Sequence, residues 1–597
     1  MSRMNTGYIL GISRGHNAGV CLLKDGEIVF SIEEERLSRL KYDGSPFAGM
    51  KKVLDYTDKI DYLIICHTQP LVGAGKIEYT GEDMYTGYAR KLGLIDRKED
   101  RFNHPQVIDI SNQHHKVHAS AAFYRSGFKN ATAVVVDGAG SEYISNNESL
   151  WEVESIFECS YDTGIVTKFK HLGCRSPIAN VYVNKAKMEY FDETDNTVEL
   201  VITDHAGIVK CYESVTEYCG FSAIEAGKTM GLFPYGSADN NLPSLFQKDM
   251  KFPISNRNIV IPTYPNSAIL NSAMHEALEE WPTSESIDPT TMTNRRNAAY
   301  WVQTQTQQAV LDFIIKAVEK TGNKNVVLSG GYGLNCVANY FYLNKLNELG
   351  INLYVEPVSN DGGTAIGAAL FWYHLSSQST KQRERFDSIY LGPKYDYSIE
   401  YIENAVSSVS GTIEDCTTTD IVSLLRDKNI VTIFQGRSEN GPRALGNRSI
   451  LFDPTFKDGK NYVNRVKNRE YFRPFAGSIL EEHVHDWFDL RGMPNSPHMM
   501  YAVNCQEGVA EKIPSVIHED GTCRIQTVTK IQNEYFYNLI EEFYKETGIP
   551  MLFNTSFNLG GEPLVETIED ALWTLENSLI EYLYLPEYNK LITIKNG

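Results

Sequence analysis

No apolar run in this 597-residue chain approaches the roughly 20 residues that a membrane-spanning helix needs. Stretches such as Tyr62–Cys66 and Ala133–Val136 stop after four or five residues, so no membrane span is expected. The opening Met1–Gly7 has neither the apolar core nor the small-residue cleavage site of a secretory leader, and no export is expected. Ten cysteines are scattered from Cys21 to Cys523 without a C-x-x-C pair or zinc-finger spacing. A chain of this length needs no disulfide staples, and a reducing cytoplasmic location is the expectation. Basic residues are scarce, 56 Lys and Arg against 76 Asp and Glu for a net charge of -20, which argues against a broad nucleic-acid-binding face and leaves room only for a local basic cleft. Proline is also scarce: 22 against 35 Tyr and 26 Phe, which together with frequent Asn, Lys and Ile points to AT-rich coding. With 42% hydrophobic and 22% charged residues the chain is neither disordered nor fibrous, and its length fits two large domains or three to four smaller units.

The pattern of elements is α/β. Strands are expected at Tyr8–Ile12, Gly19–Leu23 and Ile28–Ile32, forming a meander, then at Tyr62–Cys66 and Ala133–Val136, with a helix over His114–Tyr124 between the last two. A long helix is expected over Arg296–Thr321, followed by strands Asn325–Leu328 and Leu353–Glu356 and an Ala/Gly-rich helix over Ala365–Trp372. Strand-then-glycine turns occur in both parts, an echo that hints at two related halves. The polar stretch Ser376–Asp387 reads as a linker and puts a domain boundary near residue 385. Beyond it, Arg/Asn/Gly-rich loops between short strands indicate an α+β domain.

Three groups of residues can carry chemistry. His114 and His118 stand one helical turn apart on one face and can share a metal ion, the alternative being two satisfied histidines. Asp137 and Asp361 each end a strand and precede Gly, at the sheet edge where α/β proteins build sites; two His and two Asp suit iron, manganese or a zinc-like ion, with His115 as the spare. Glycine turns at Gly11–Ala18, Asp137–Ser141 and Ser329–Asn335, together with Glu225–Gly231, can surround a nucleotide. His16 is either a general base or a hydrogen-bonded turn histidine. The third group is Gly436–Ser449, followed by Asn464, Lys467, Arg469, Arg473 and Arg524. So many guanidiniums in turn-forming sequence suit a phosphate-bearing ligand, against the alternative of Arg–carboxylate bridges within a loop-rich domain. Asn554–Asn558 adds short polar side chains after a strand.

These motifs, His-Asn-Ala at 16–18, His-His-x-x-His at 114–118, Val-Asp-Gly at 136–138, Gly-Lys-Thr-Met-Gly-Leu at 227–232, Ser-Gly-Gly-x-Gly-Leu-Asn at 329–335, Gly-Pro-Arg-Ala-Leu-Gly-Asn-Arg-Ser at 441–449 and Asn-Thr-Ser-Phe-Asn at 554–558, resemble in their order the NodU/CmcH family of O-carbamoyltransferases. The resemblance implies a Kae1-like domain of the actin/sugar-kinase (ASKHA) fold over 1–385 and a YrdC-like, adenylate-forming domain over 386–597. It implies ATP and carbamoyl phosphate as substrates, with Mg2+ accompanying ATP, and Fe2+ or a similar divalent metal on His114, His118, Asp137 and Asp361. His16 would stand near the reacting hydroxyl. Lys228, Gly231, Gly330, Gly331 and Asn335 would contact the adenylate. Arg437, Arg443, Arg448, Ser449, Lys467, Arg473, Arg524, Asn554 and Ser556 would meet carbamoyl phosphate and ATP, with Arg443 and Arg448 catalytic. Family analogy allows a monomer or a homodimer. The acceptor tilts toward 5-hydroxymethylcytosine in DNA because of the AT-rich bias, with a sugar or antibiotic hydroxyl as the alternative. A local basic rim from Lys91, Arg97, Lys98 and Arg101 would serve a flipped base, or these are a solvated loop. Two further readings are a small-molecule kinase on the same N-terminal fold and a fused threonylcarbamoyl system acting on tRNA.

Overall fold

The computed structural model describes residues 7–69, 76–77, 82–97, 104–145, 148–174, 198–203, 207–240, 242, 245, 290, 292–385 and 388–595. Lys98 and Arg101 of the expected basic rim lie outside the described residues. The chain divides into two compact units, Met1–Val29 with Gly44–Phe386 and Phe30–Asp43 with Asp387–Gly597.

Two sheets organise the first unit. One comprises β1 (Tyr8–Ser13), β2 (Gly19–Lys24), β3 (Glu27–Glu33), β4 (Tyr62–Cys66) and β7 (Val107–Asp109) in the order β3-β2-β1-β4-β7. A short ribbon, β5 (Lys76–Ile77) with β6 (Glu82–Asp83), stands apart from it. The other contains β8 (Asn130–Val136), β9 (Glu142–Ser145), β10 (Glu148–Ser160), β11 (Gly164–Cys174), β12 (Glu199–Thr203), β13 (Asn325–Ser329) and β14 (Asn352–Val355). Its order is β12-β11-β10-β8-β13-β14, with β9 on β10. In both sheets the first strand has one antiparallel and one parallel neighbour: β1 lies between β2 and β4, and β8 between β10 and β13. This shared arrangement is the duplicated core of the ASKHA fold, and it gives geometric content to the echo of strand-then-glycine turns. The inner strands β1, β4, β8 and β13 are buried almost end to end, as strands covered on both faces must be.

Two helices, His114–Ser126 and Thr364–Ser377, pack on each other and also reach both sheets, the first against β8 and β13, the second against β1 and β4. Their approach depends on missing side chains. A Cβ on Gly367 would sit 2.1 Å from the Val117 carbonyl oxygen, and one on Gly11 would sit 2.3 Å from the Ala365 carbonyl oxygen. Backbone on the far side cannot swing away as a side-chain tip can. Gly367→Ala is therefore expected to cost about 1–3 kcal/mol, read as a melting temperature lowered by on the order of 5 °C; an unchanged melting curve would show that the helices separate freely.

The second unit is built on a ten-stranded mixed sheet in the order β15-β24-β23-β16-β17-β22-β18-β21-β20-β19. The strands are β15 (Thr412–Asp415), β16 (Val431–Phe434), β17 (Arg448–Phe452), β18 (Ala476–Leu480), β19 (Phe488–Asp489), β20 (Ala502–Cys505), β21 (Thr522–Val528), β22 (Met551–Ser556), β23 (Tyr582–Leu585) and β24 (Lys590–Thr593). Ile421, Leu425, Phe536, Ile540 and Phe543 from two amphipathic helices pack with Val431, Ile433, Leu451 and Leu552 of the sheet. Capping boxes at Thr417 with Asp420 and at Thr567 with Asp570 set where two of the helices begin. No helix among the described residues is long and apolar enough to cross a membrane.

Candidate metal centre and cationic site

β8 delivers Asp137 at its carboxyl end, and Asp361 follows β14 in a one-turn helix, while His114 and His118 project from the helix between the sheets. One ligand-capable atom from each of the four lies within 4.8 Å of all the others. Asp361 Oδ1 is 3.5 Å from Nε2 of both histidines, and Asp137 Oδ2 is 3.7 Å from His114 Nε2. Both Nε2 atoms are buried and make no hydrogen bond. Two orphaned imidazole nitrogens facing two carboxylates are a donor set that a divalent cation completes, so the residues fit the expected metal. Burial alone would lower the His114 pKa, but Asp137 and Asp361 outweigh it and hold the imidazole well above its ordinary value. Both carboxylates are drawn below the usual carboxylate range, against the opposing effect of burial, with the nearby His114 as the largest favourable cause.

The supports around this quartet are specific. His118 Nδ1 lies 3.3 Å from Ser329 Oγ, and His114 Nδ1 lies 3.8 Å from Cys66 Sγ. The Gly331 N–H donates to Asp137 Oδ1 at 2.9 Å, and the Ser141 hydroxyl accepts the His114 N–H at 3.0 Å. His115 is turned elsewhere: its Nδ1 is 2.8 Å from Ser155 Oγ, and burial depresses its pKa to about 4. Ser329→Ala removes the partner that orients His118, and metal affinity is expected to fall about 10- to 100-fold. Titration of metal-stripped protein with Zn2+ or Fe2+ reads this directly; equal affinities would assign Ser329 to packing alone.

His16 stands at the rim, with its side chain 49% exposed and Nε2 3.9 Å from Asp361 Oδ2. Asn17, beside it, adopts a positive φ of 61° and places Oδ1 3.3 Å from His16 Nδ1. His67, which no motif singles out, follows β4 at the same end of its sheet. Burial, then the charge of Arg14, depresses it to about 3, so it is a neutral imidazole. The rule that placed Asp137 at a strand end could have found it.

The expected nucleotide residues are arranged as follows. Gly330 has φ +89°, and a Cβ there would meet the Val136 carbonyl oxygen at 2.4 Å, so the turn admits only glycine. Gly331 uses its N–H on Asp137. Asn335 caps the helix Cys336–Glu348 by accepting the Ala338 N–H, and its amide exchanges hydrogen bonds with Gln303 at 2.9 and 3.2 Å. Gly227–Leu232 is part of a helix: Gly231 is buried in it, and Lys228 pairs with Glu225 at 2.8 Å.

In the second unit, the arginines separate into two kinds. Arg437 donates to the carbonyls of Gly392 and Leu391 at 2.6 and 2.7 Å. Arg448, fully buried in β17, donates to the carbonyls of Gln435, Gly436, Asn447 and Glu566 and lies 3.7 Å from the centre of the Phe434 ring. These two hold loops together. The Ser449 hydroxyl accepts the Gly446 N–H at 3.0 Å and serves the same turn.

The other kind is crowded with like charge. Arg469 lies within electrostatic reach of Arg473, Arg524 and Arg443; burial first, and these three guanidiniums in addition, drive its pKa well below the usual value. Its Nε and that of Arg524 are buried without a hydrogen-bond partner, and its plane lies over Phe475 at 4.7 Å. Lys467 is depressed in the same way by burial and then by Arg469 and Arg473. Its ammonium holds the loop after β22, donating to the carbonyls of Ser556 and Asn558. Ser556 donates to Asn558 Oδ1 at 2.6 Å, and the Asn554 side-chain amide donates to Ser478 Oγ at 2.9 Å while its own Oδ1 stays unpartnered. Buried cations with unmet donors at such close quarters suit an anion with several oxygens.

Residues 73–370 match the family described as carbamoyltransferase N-terminus, and residues 422–590 match carbamoyltransferase C-terminus. The nodulation protein NolNO of Sinorhizobium fredii is 30% identical over 96% of this chain and 78% of its own length. The chain belongs to the carbamoyltransferase family. This carbamoyltransferase is also 28% identical to the protein MJ1051 of Methanocaldococcus jannaschii over 97% of this chain and 99% of that one. Nodulation protein U of Rhizobium tropici is 36% identical over 40% of this chain and 39% of its own. Among solved structures, full-length HypF in a phosphate- and nucleotide-bound form aligns with 64% of the carbamoyltransferase and 57% of HypF, at 13% identity and a TM-score of 0.36.

Proposed function

We propose that this carbamoyltransferase works in two steps, one in each unit. The observation that carries the reading is the crowd of like charge around Arg469 in the second unit, made of Arg443, Arg473, Arg524 and Lys467, which a polyanionic substrate would neutralise. There, in a YrdC-like, adenylate-forming role, carbamoyl phosphate, ATP (with Mg2+) and water give carbamoyl adenylate, phosphate and pyrophosphate. The guanidiniums bind phosphate oxygens, and Asn554 and Ser556 line the same end of β22. Arg437 and Arg448 act here by fixing the loop that presents Arg443.

The first unit, Kae1-like, then passes the carbamoyl group to an acceptor hydroxyl. His114, His118, Asp137 and Asp361 would hold Fe2+ or a similar divalent ion, which supplies Lewis-acid polarisation when bound. His16 Nε2 takes the acceptor's proton, and Asp361 Oδ2, 3.9 Å away, steadies the resulting imidazolium. The new bond forms between the acceptor oxygen and the carbamoyl carbon as the bond to AMP oxygen breaks. Gly330 and Gly331 let the adenylate approach closely, with Lys228, Gly231 and Asn335 around it.

For the acceptor, the AT-rich composition favours 5-hydroxymethylcytosine in DNA. Similarity to proteins named for nodulation favours a second reading, a hydroxyl on a sugar or other small molecule. Purified protein incubated with ATP, with and without carbamoyl phosphate, and with hydroxymethylcytosine DNA or an aminoglycoside in parallel separates the cases. AMP and pyrophosphate appearing only with carbamoyl phosphate, and a carbamoyl mass gained by one acceptor, are expected. ADP formed without carbamoyl phosphate would replace this reading by a kinase, and dependence on threonine and bicarbonate by a threonylcarbamoyl enzyme.

A further inference from the structure

Residues Phe30–Asp43 belong to the second unit although some 350 residues separate them in sequence from the rest of it. The attachment is made of named bonds. The Ser31 N–H donates to the Leu391 carbonyl at 2.8 Å, and the Asn440 side-chain amide donates to Ser31 Oγ at 2.8 Å. Two arginines of the following turn reach two different loops. Arg39 donates to the carbonyls of Leu564 and Pro563 at 2.6 and 3.1 Å, and its Nε lies 3.5 Å from Asp570. Arg36 Nη2 donates to the Gly441 carbonyl at 2.6 Å. Gly441 opens the turn that carries Arg443, and Pro563–Leu564 continue the loop that begins at Ser556, so the segment touches both loops of the cationic site.

Each guanidinium nitrogen of Arg39 has a partner, but not every one of Arg36 does. Its residue is 3% exposed, and its Nε and Nη1 are buried with no hydrogen-bond partner. A buried guanidinium with unmet donors bears the full desolvation cost of those groups, and native structures keep such a group where something completes it. The competing explanation is a structural one, that Arg36 neutralises the buried Glu566, which lies within its electrostatic reach. Glu566 shares that role with Arg448, which reaches its backbone carbonyl, and both Glu566 carboxylate oxygens are buried without a hydrogen-bond partner, so Glu566 leaves the Arg36 Nε and Nη1 donors unmet.

We propose that Arg36 is a further anion-binding residue of the adenylate-forming site, keeping Nη2 on the Gly441 carbonyl and offering its remaining N–H groups to a phosphate oxygen of the substrate. The inference rests on the adenylate reading of the second unit and adds to it a side chain from the first tenth of the sequence. The shared chemistry is a phosphate oxyanion, with carbamoyl phosphate and ATP as its two sources.

The test uses the full-length protein with Arg36→Met, Arg36→Lys and, as the structural control, Glu566→Gln. Pyrophosphate release is measured while carbamoyl phosphate and ATP are varied in turn, and melting is followed without ligand. Arg36→Met is expected to raise KM more than tenfold for one of the two substrates, which identifies the source of the phosphate, with partial rescue by Arg36→Lys. Glu566→Gln is expected to leave both KM values unchanged. Wild-type KM values in Arg36→Met, or a loss of activity that tracks a fall in melting temperature reproduced by Glu566→Gln, would reduce Arg36 to a structural staple. If the wild-type protein releases no pyrophosphate at all, the adenylate reading fails by itself. Calorimetric binding of inorganic pyrophosphate then still decides Arg36: weaker binding to Arg36→Met supports the anion site, and equal binding overturns it.

Discussion

Asp361→Asn is expected to cut carbamoyl transfer by ~10³-fold or more while leaving carbamoyl-phosphate-dependent release of AMP and pyrophosphate near its original rate. Asp361 is the most connected member of its quartet, with Oδ1 3.5 Å from both imidazole Nε2 atoms and Oδ2 facing His16. The substitution keeps the shape but removes the charge. It therefore takes away a proposed metal ligand, one of the charges that raise the His114 pKa, and the group that would stabilise protonated His16. Metal content measured on the purified protein should fall with activity, from near one equivalent to a small fraction. His115→Gln serves as the contrast, since its ring is held by Ser155 and its loss should leave metal content unchanged. A fully metallated Asp361→Asn protein with normal transfer would remove the quartet from the mechanism. A parallel loss of pyrophosphate release would mean that the two steps are not divided as proposed.

Arg469→Met is the second large effect, and its two readouts move in opposite directions. Without ligand, Arg469 sits among Arg473, Arg524 and Arg443, and its most prominent acidic neighbour is Glu470, which also lies 3.4 Å from Arg473. Deleting one buried cation from such a crowd relieves repulsion and desolvation together, and the methionine can still cover Phe475. A gain of about 1 kcal/mol, seen as ~2–4 °C in the melting temperature, is expected. Pyrophosphate release should fall by ~100-fold, because the phosphate loses a charge-assisted donor pair that is already in place. For the same reason, added pyrophosphate should stabilise the wild-type protein more than the variant. A variant that melts lower and still turns over normally would mean that Arg469 is a structural cation.

The His/Asp quartet was the most readable part of the sequence, because three of its members obey a local rule, while Asp361 stands six positions beyond the end of β14 in a one-turn helix. Two histidines one helical turn apart must share a face, and an aspartate between a buried strand and a glycine must stand at a sheet edge. The duplicated sheet order was only hinted at: Tyr8–Ser13 and Asn130–Val136 occupy equivalent positions without resembling each other, since all that the position requires is an apolar extended segment. The arginine-rich loops were readable as a group but not residue by residue. Whether a guanidinium bonds to backbone carbonyls, as in Arg437 and Arg448, or stands among other cations, as in Arg469, depends on how irregular loops close, and no periodicity records that. Asn335 lies in a glycine-rich motif, yet its amide is committed to Gln303 on a helix some thirty residues earlier. Arg36 belongs to no motif considered and is exposed by tertiary partition alone.

That partition bears on how the protein is made. Arg36 and its partner Gly441 are 405 positions apart. At roughly 5–20 residues per second, a ribosome takes on the order of 20–80 s to extend the chain from one to the other. For that interval residues 30–43 have been synthesised without the unit they complete, while the sheets on either side of them in the sequence are free to form. The second unit closes only when an early segment and residues 387–597 meet, so its folding waits for that later stretch to be synthesised.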